Sequence, residues 1–314
     1  MNQSKKIVDG TILTAVYAVL LLVSVFVPVI SIIAVVLLPI PFVIYTSRHG
    51  GKPALLMWLA ATLISVLIAT TFSLPIAVLA GSGGIMIGGA IYRKLSAHET
   101  WARGTFGFIF GLLFVFVFTQ VVFQVNWTEE IEQQMNSSMD LTFETLGEFG
   151  LSEQDQGEEI VSQTIDLLVN LLPVILVGGA IVMAFISQWL SYKVLNRLDK
   201  KELRFPPFRT LRFPASLIWV YFFALIASFL VSDTTSFFYT GAQNILALTG
   251  LLMTLQGFSF IFFYAHHKKM SKAIPIFSVV LTLLFPTLLL FLVRFIGIID
   301  LGFGMKDRLD KKDE

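Results

Sequence analysis

"LAGSGGIMIGGAIYRK", residues 79–94, places five glycines among sixteen residues and closes on two positive charges. Read as phosphate chemistry it fails. A P-loop needs a lysine and a Ser/Thr directly after its second glycine, so that backbone N–H groups and the ammonium share the phosphate charge. Counting from Gly83, the second glycine falls at Gly88, and Gly89 and Ala90 stand where those residues belong. The dinucleotide pattern G-x-G-x-x-G fails as well, because Gly81 and Gly83 are followed by Met86. Gly81-Ser82-Gly83 suggests an intramembrane serine nucleophile, which requires a histidine base within hydrogen-bond reach. His49, His98, His266 and His267 all fall in or beside basic connections. Ser82 then lies on the order of 20 Å from them by helix rise. What fits is helix packing. Ala80, Gly84 and Gly88 recur every four residues, with Ala77, Gly81 and Gly89 on the adjacent stripe. Small residues at that spacing let backbones approach closely where lipid removes any hydrophobic drive between helices.

The rest of the chain makes lipid the solvent. Of its 314 residues 56% are hydrophobic and 14% charged, and the apolar residues come in Leu/Val/Ile/Phe-rich runs of about twenty, the length that spans a bilayer as helix. The expected fold is an all-α, polytopic transmembrane helical bundle of about eight to nine spans. With no cysteine, disulfides, thiolate metal sites and cysteine nucleophiles are excluded. No catalytic constellation, metal site or cofactor is expected, and no nucleic-acid partner. The amino-terminal run lacks a small-x-small cleavage site and continues into further apolar sequence, so it reads as an uncleaved first span.

The expected spans are 8–27, 29–46, 54–73, 75–92, 104–125, 167–192, 213–232, 242–265 and 274–296. Basic residues cluster at Lys5/Lys6, 48–52, 93–103, 193–212 and 266–272, at every second connection. The positive-inside rule places these connections and the amino terminus in the cytoplasm of a multi-pass cell-membrane protein. Residues 127–166 carry eleven Asp/Glu and no Lys, Arg or His, so this segment is expected outside. Ile131, Met135, Met139, Phe143 and Leu146 recur at three to four residues and predict an amphipathic helix, either in a plain solvated loop or as a lid over an outward cavity. Nine spans would send the carboxyl-terminal tail outside. The alternative is that residues 274–296 turn back near Pro286.

The glycine device recurs at Gly104/Gly107/Gly111, at Gly178/Gly179 and at Gly250/Gly257. Ionisable residues inside the spans are nearly absent. Arg294, near the expected end of the last span, reads as a snorkelling anchor. Gln120, Gln124, Asn244, Thr254 and Gln256 are costly against lipid and should face inward, either pairing between helices or lining a site for a small neutral ligand. The basic, aromatic, proline-rich stretch 204–214 reads as an interfacial connector or partner dock, and His266/His267 as part of a juxtamembrane basic cluster.

The short basic amino terminus, the fourth span ending "GGAIYRK", "TLQG" (254–257) and the closing "GIIDLGF" (297–303) resemble the YybS-like family of bacterial membrane proteins, whose role is uncharacterised. The first six helices also resemble the S component of energy-coupling-factor transporters. That resemblance implies two parts, 1–196 as an S-component-like six-helix bundle and 197–314 as additional helices with a tail. It further implies capture of a small molecule and docking through small residues on the first helix to a transmembrane coupling subunit served by separate ATPases. Gly10, Thr14 and Ala18 supply such a stripe here, without a strict Ala-x-x-x-Ala. The rival expectation is a non-transporting scaffold or regulator that docks cytoplasmic proteins through its basic loops.

Overall fold

The computed structural model describes residues 3–148, 164–165, 167–231, 233 and 236–310. Every regular element among them is helical. The chain divides into two compact units, Met1–Phe205 and Pro206–Glu314.

In the first unit α1 (Gln3–Phe26) is followed by a 3-10 turn at Pro28–Ile30 and by α2 (Ser31–Leu37) and α3 (Pro39–His49). These two short helices form one span. Its interruption falls at Leu38, where Pro39 and Pro41 remove two backbone donors. α4 (Gly51–Ala69), α5 (Leu74–Tyr92) and α6 (Ala97–Val122) follow, then α7 (Trp127–Glu148) and α8 (Leu172–Asp199). A capping box starts α6: Ser96 accepts from the Glu99 N–H, and the Glu99 carboxylate accepts from the Ser96 N–H.

The glycine-rich stretch is the second half of α5, and α5 is the most buried of the spans. A Cβ built on Gly84 would stand 2.6 Å from the Pro39 carbonyl oxygen, and one on Gly88 2.6 Å from that of Val43. On the next stripe Gly83 receives the Phe108 ring of α6, while a Cβ on Gly107 of α6 would stand 2.7 Å from the Ser82 carbonyl. A Cβ on Gly111 would meet the backbone of Leu79 at 2.7 Å. α5 is thus pressed between α3 and α6 by backbone contact. Ser82 donates to Leu79 O on its own helix at 3.2 Å. Close approach does not extend to Gly178, where a Cβ would meet open space, or to Gly179, which has only Leu112 at 3.9 Å. On α8 Ala180, next in the chain after these glycines, and Ala184, about one turn beyond it, are fully buried.

The ends of the helices sort by charge. Asp9 of α1, Arg48 and His49 of α3 and Asp199 of α8 meet in one ion-pair network, which gathers the start of α1 and the ends of α3 and α8 at one end of this unit. At the other end the turn before α5 meets the exit of α6, where Phe72 and Phe123 stack with ring centroids 4.4 Å apart. α7 carries Ile131, Met135 and Met139 half-buried between exposed neighbours, the expected amphipathic pattern. The side chains of Phe143 and Leu146, and residues 149–163, lie outside the described set. Residues just past 196 fold back onto this unit: Asn196 bonds both backbone groups of Leu203, and Phe205 packs on Phe185 and Tyr192.

The second unit contains α9 (Ser216–Leu230), α10 (Phe237–His267), α11 (Ala273–Leu284), α12 (Pro286–Phe303) and the short α13 (Met305–Asp310). Several expectations are corrected here. The span expected at 213–232 shrinks to the 15 residues of α9, since Pro214 ends an extended connector and backbone helicity begins only after it. The single span expected at 274–296 is two helices. Phe285, held out of the helical region by the proline that follows, sits at φ −126° and ψ 63° and breaks the run. α12 then continues to Phe303, past the expected end. Arg294 therefore lies in the middle of α12 rather than near its end, with its guanidinium against Gly250 of α10. Among the described residues eight segments are long and apolar enough to cross a membrane: α1, α2 with α3, α4, α5, α6, α8, α10 and α12.

Candidate functional site

Three arrangements in the molecule offer chemistry. The first is a groove of ≈ 1020 Å³ between α1 and α4. Gly10, Thr14 and Ala18 line one wall at four-residue spacing, and Leu56, Ala60 and Ile64 line the other. Tyr45 of α3 closes the floor beside Gly10, its ring 3.3 Å from where a Cβ would stand and its hydroxyl donating to Lys6 O at 3.2 Å. Lys6 and Lys52 stand at the mouth. The walls are apolar and small and the rim is cationic. Such a surface suits an apolar helix or chain approaching from lipid, because small side chains expose backbone for close van der Waals contact.

The second arrangement adjoins it. Arg48 forms a fork on Asp199, with Nη2 2.6 Å from Oδ1 and Nε 3.2 Å from Oδ2. His49 Nε2 lies 2.9 Å from Asp9 Oδ2, and Tyr45 packs on the His49 ring at 4.8 Å. His49 is the last residue of α3 and almost fully buried, not a solvated loop residue as its basic surroundings suggested. Burial pushes the Lys201 ammonium down, with Asp199 acting against it. The network ties three helix ends that are 40 to 151 residues apart in sequence.

The third arrangement lies in the second unit. Asp300, at 4% exposure, and Lys306, at 2%, form a buried pair with Lys306 Nζ 3.5 Å from Asp300 Oδ2. Lys306 Nζ also donates to Leu211 O and Ser259 Oγ, both at 2.8 Å. Ser259 in turn donates to Phe208 O at 2.8 Å. Gln256 donates to Asp300 from its amide nitrogen and accepts from the Phe213 N–H at 3.1 Å. The polar atoms thus bind the connector 206–214, the middle of α10 and the carboxyl-terminal helix into one knot. Arg212 and Asp307 pair on its exposed side.

The residues expected to line a ligand site are distributed as follows. Gln120 and Gln124 are exposed, at the end of α6 and in the turn after it. Thr254 donates to Gly250 O at 2.8 Å and Asn244 to Thr240 O at 2.8 Å, each on its own helix. Gln256 belongs to the knot. The glutamines of α6 belong to the first unit and the other three residues to the second. Sequence reasoning missed Asp300 and Lys306, which sit beyond the expected last span. It also missed Gln188, fully buried on α8, whose amide donates to Ala97 O at 2.9 Å and to the Tyr192 hydroxyl at 2.8 Å. Gln188 stands among Ser187, Ser191 and Tyr192 at the basic end of a span, where a run of polar residues blends with the connection that follows.

The fold and these sites define a polytopic helical membrane protein. The chain matches the family described as "Predicted membrane protein (DUF2232)" over residues 15–301, and it belongs to that family. It is 27% identical over 310 residues to the protein YybS of Bacillus subtilis (strain 168), an alignment that covers 98% of this chain and all of that protein. No solved structure matches it.

Proposed function

We propose that this integral membrane protein is the docking member of a membrane assembly, receiving a transmembrane helix of a partner in the α1–α4 groove. The observation that carries the reading is the stripe Gly10, Thr14, Ala18 lining a groove on a span, with no helix among the described residues filling it. Two versions of the reading differ in cargo. In the first, the chain is a scaffold or regulator. Its support is that Gln256, Thr254 and Asn244, the polar groups of the second unit, are satisfied by protein atoms and leave little for a ligand to bind. In the second, the chain works like an S component that carries a small molecule to a coupling subunit and its ATPases. Its support is the place of the groove, on the first helix and beside the basic end. Under either version the amino terminus and the basic connections face the cytoplasm and α7 faces out, by the positive-inside rule.

The test is site-directed photocrosslinking in membranes. A photoreactive phenylalanine at Thr11, on the groove, should capture a second protein with transmembrane helices, and one at the exposed Ile12, off the groove, should not. Ala18→Phe, which fills the groove, should abolish the capture. Crosslinks to lipid alone at Thr11 would overturn the docking reading. A metabolite that co-purifies with the crosslinked complex would decide for the carrier version.

A further inference from the structure

A second cavity, of ≈ 470 Å³, opens at the basic end of the second unit, and nothing in the docking reading uses it. It is built by three separate stretches: the connector at Pro207–Arg209, the end of α10 from Phe262 to Met270, and the start of α11 from Lys272 to Ile276. Arg209, His266, Lys269 and Lys272 come together around it, and no acidic residue lines it. Among the described residues none of these four groups has a carboxylate within ion-pair distance. Cations of one sign brought together without counterions repel one another, and their summed field attracts an anion from outside. α11 also begins at the rim, and the positive end of its backbone dipole adds to the field.

The rest of the lining is apolar. Phe208 meets Phe262 edge to face at 5.5 Å, and Ile276 faces them from α11. Phe262 and Ile276 both belong to helices whose apolar runs enter the membrane. The cavity therefore has a cationic rim at the interface and an apolar wall continuing toward lipid. A free inorganic anion would use the rim and leave the wall wet. A headgroup with its acyl chain attached would use both.

We propose that this cavity is a binding site for an anionic phospholipid, with the phosphate held by Arg209, Lys269 and Lys272 and an acyl chain lying along Phe262 and Ile276. The occupant comes from the leaflet that borders the basic connections. The site ties the connector to the α10–α11 turn, and its occupancy sets how firmly those two segments are joined.

Native mass spectrometry of the purified protein in mild detergent tests this, with phosphatidylglycerol titrated against phosphatidylcholine of the same acyl chains. The unaltered protein should retain phosphatidylglycerol in preference. Arg209→Gln, Lys269→Gln and Lys272→Gln should each weaken retention about fivefold, and together by more than the single changes. Arg93→Gln/Lys94→Gln/Arg103→Gln removes three charges from the first unit and serves as the control for net charge. Lys269→Gln alone, at an exposed residue after α10, keeps the test informative if the triple variant fails to fold. Equal loss in the pocket and control variants would overturn the site, as would equal retention of the two lipids. Displacement of phosphatidylglycerol by millimolar glycerol phosphate would overturn the lipid as occupant in favour of a soluble anion. Displacement of phosphatidylglycerol by an acidic peptide would likewise overturn the lipid as occupant.

Discussion

Lys306 shows how one residue can reorganise the reading of a tail. In sequence it belongs to "GMKDRLDKKDE", which looks like solvated charge. In the structure it is buried against Asp300, Ser259 and a backbone carbonyl. Removing one member of a buried pair strands the other, at a cost of about 3–5 kcal/mol. Asp300→Ala should therefore lower the stability of the second unit by about that amount, and Asp300→Ala/Lys306→Met should recover most of it, since no charge is then left alone. Thermal unfolding in detergent measures both. The pH dependence has a definite sign. Burial pushes the Lys306 ammonium below its ordinary range, and Asp300 opposes the shift without cancelling it. The unfolded chain thus holds this proton more tightly, and the contribution of Lys306 to stability rises as pH climbs from the folded value toward the ordinary lysine value of about 10.4. The melting temperature of the unaltered protein should gain on that of Lys306→Met as pH rises toward about 10. A flat difference would show that the ammonium is not held down. The polarity of Gln256 was legible because an amide in an apolar run stands out. Its partner was not, because Asp300 lies 44 residues away and a lone carboxylate near a span end carries no mark of what it meets.

At the scale of the element, spacing was the informative quantity. Gly84 and Gly88 announced a face of close approach, and α3 backbone lies against that face. Spacing does not tell which small residues are used, because Gly178 shares the local pattern and faces open space. The contrast is testable. Gly84→Val forces side-chain atoms into the Pro39 carbonyl and should destabilise the first unit by about 1–3 kcal/mol, while Gly178→Ala should be silent or slightly stabilising. Similar losses from both would mean that the α3–α5 contact is not the tight one. The break at Phe285–Pro286 was visible as an alternative, because a proline excludes helix from the residue before it. Hydropathy alone could not choose it, since apolar residues run straight through the break.

For the whole molecule, the alternation of basic connections appears within each unit as a sorting of ends. In the second unit the connector, the α10–α11 turn and α13 meet at one end: Phe208 contacts Phe262, Lys306 contacts Leu211, and Arg212 contacts Asp307. α11 and α12 must then leave that end and return to it, which is the hairpin that sends the tail back. Such a hairpin would remove the parity problem of nine full crossings, and it predicts that residues 305–310 lie on the side of the turn at 268–272. The absence of cysteine makes this measurable without background. Single cysteines at Ser271, Arg308 and Ser137, all exposed positions, report three connections to a membrane-impermeant maleimide in intact cells and in inverted vesicles. Ser271→Cys and Arg308→Cys should react alike, only in inverted vesicles, and Ser137→Cys only in intact cells. Reaction of Arg308→Cys together with Ser137→Cys would restore nine crossings and separate the tail from the connector. Reversal of all three would keep the hairpin and invert the molecule, placing the groove mouth at Lys6 and Lys52 on the outer face.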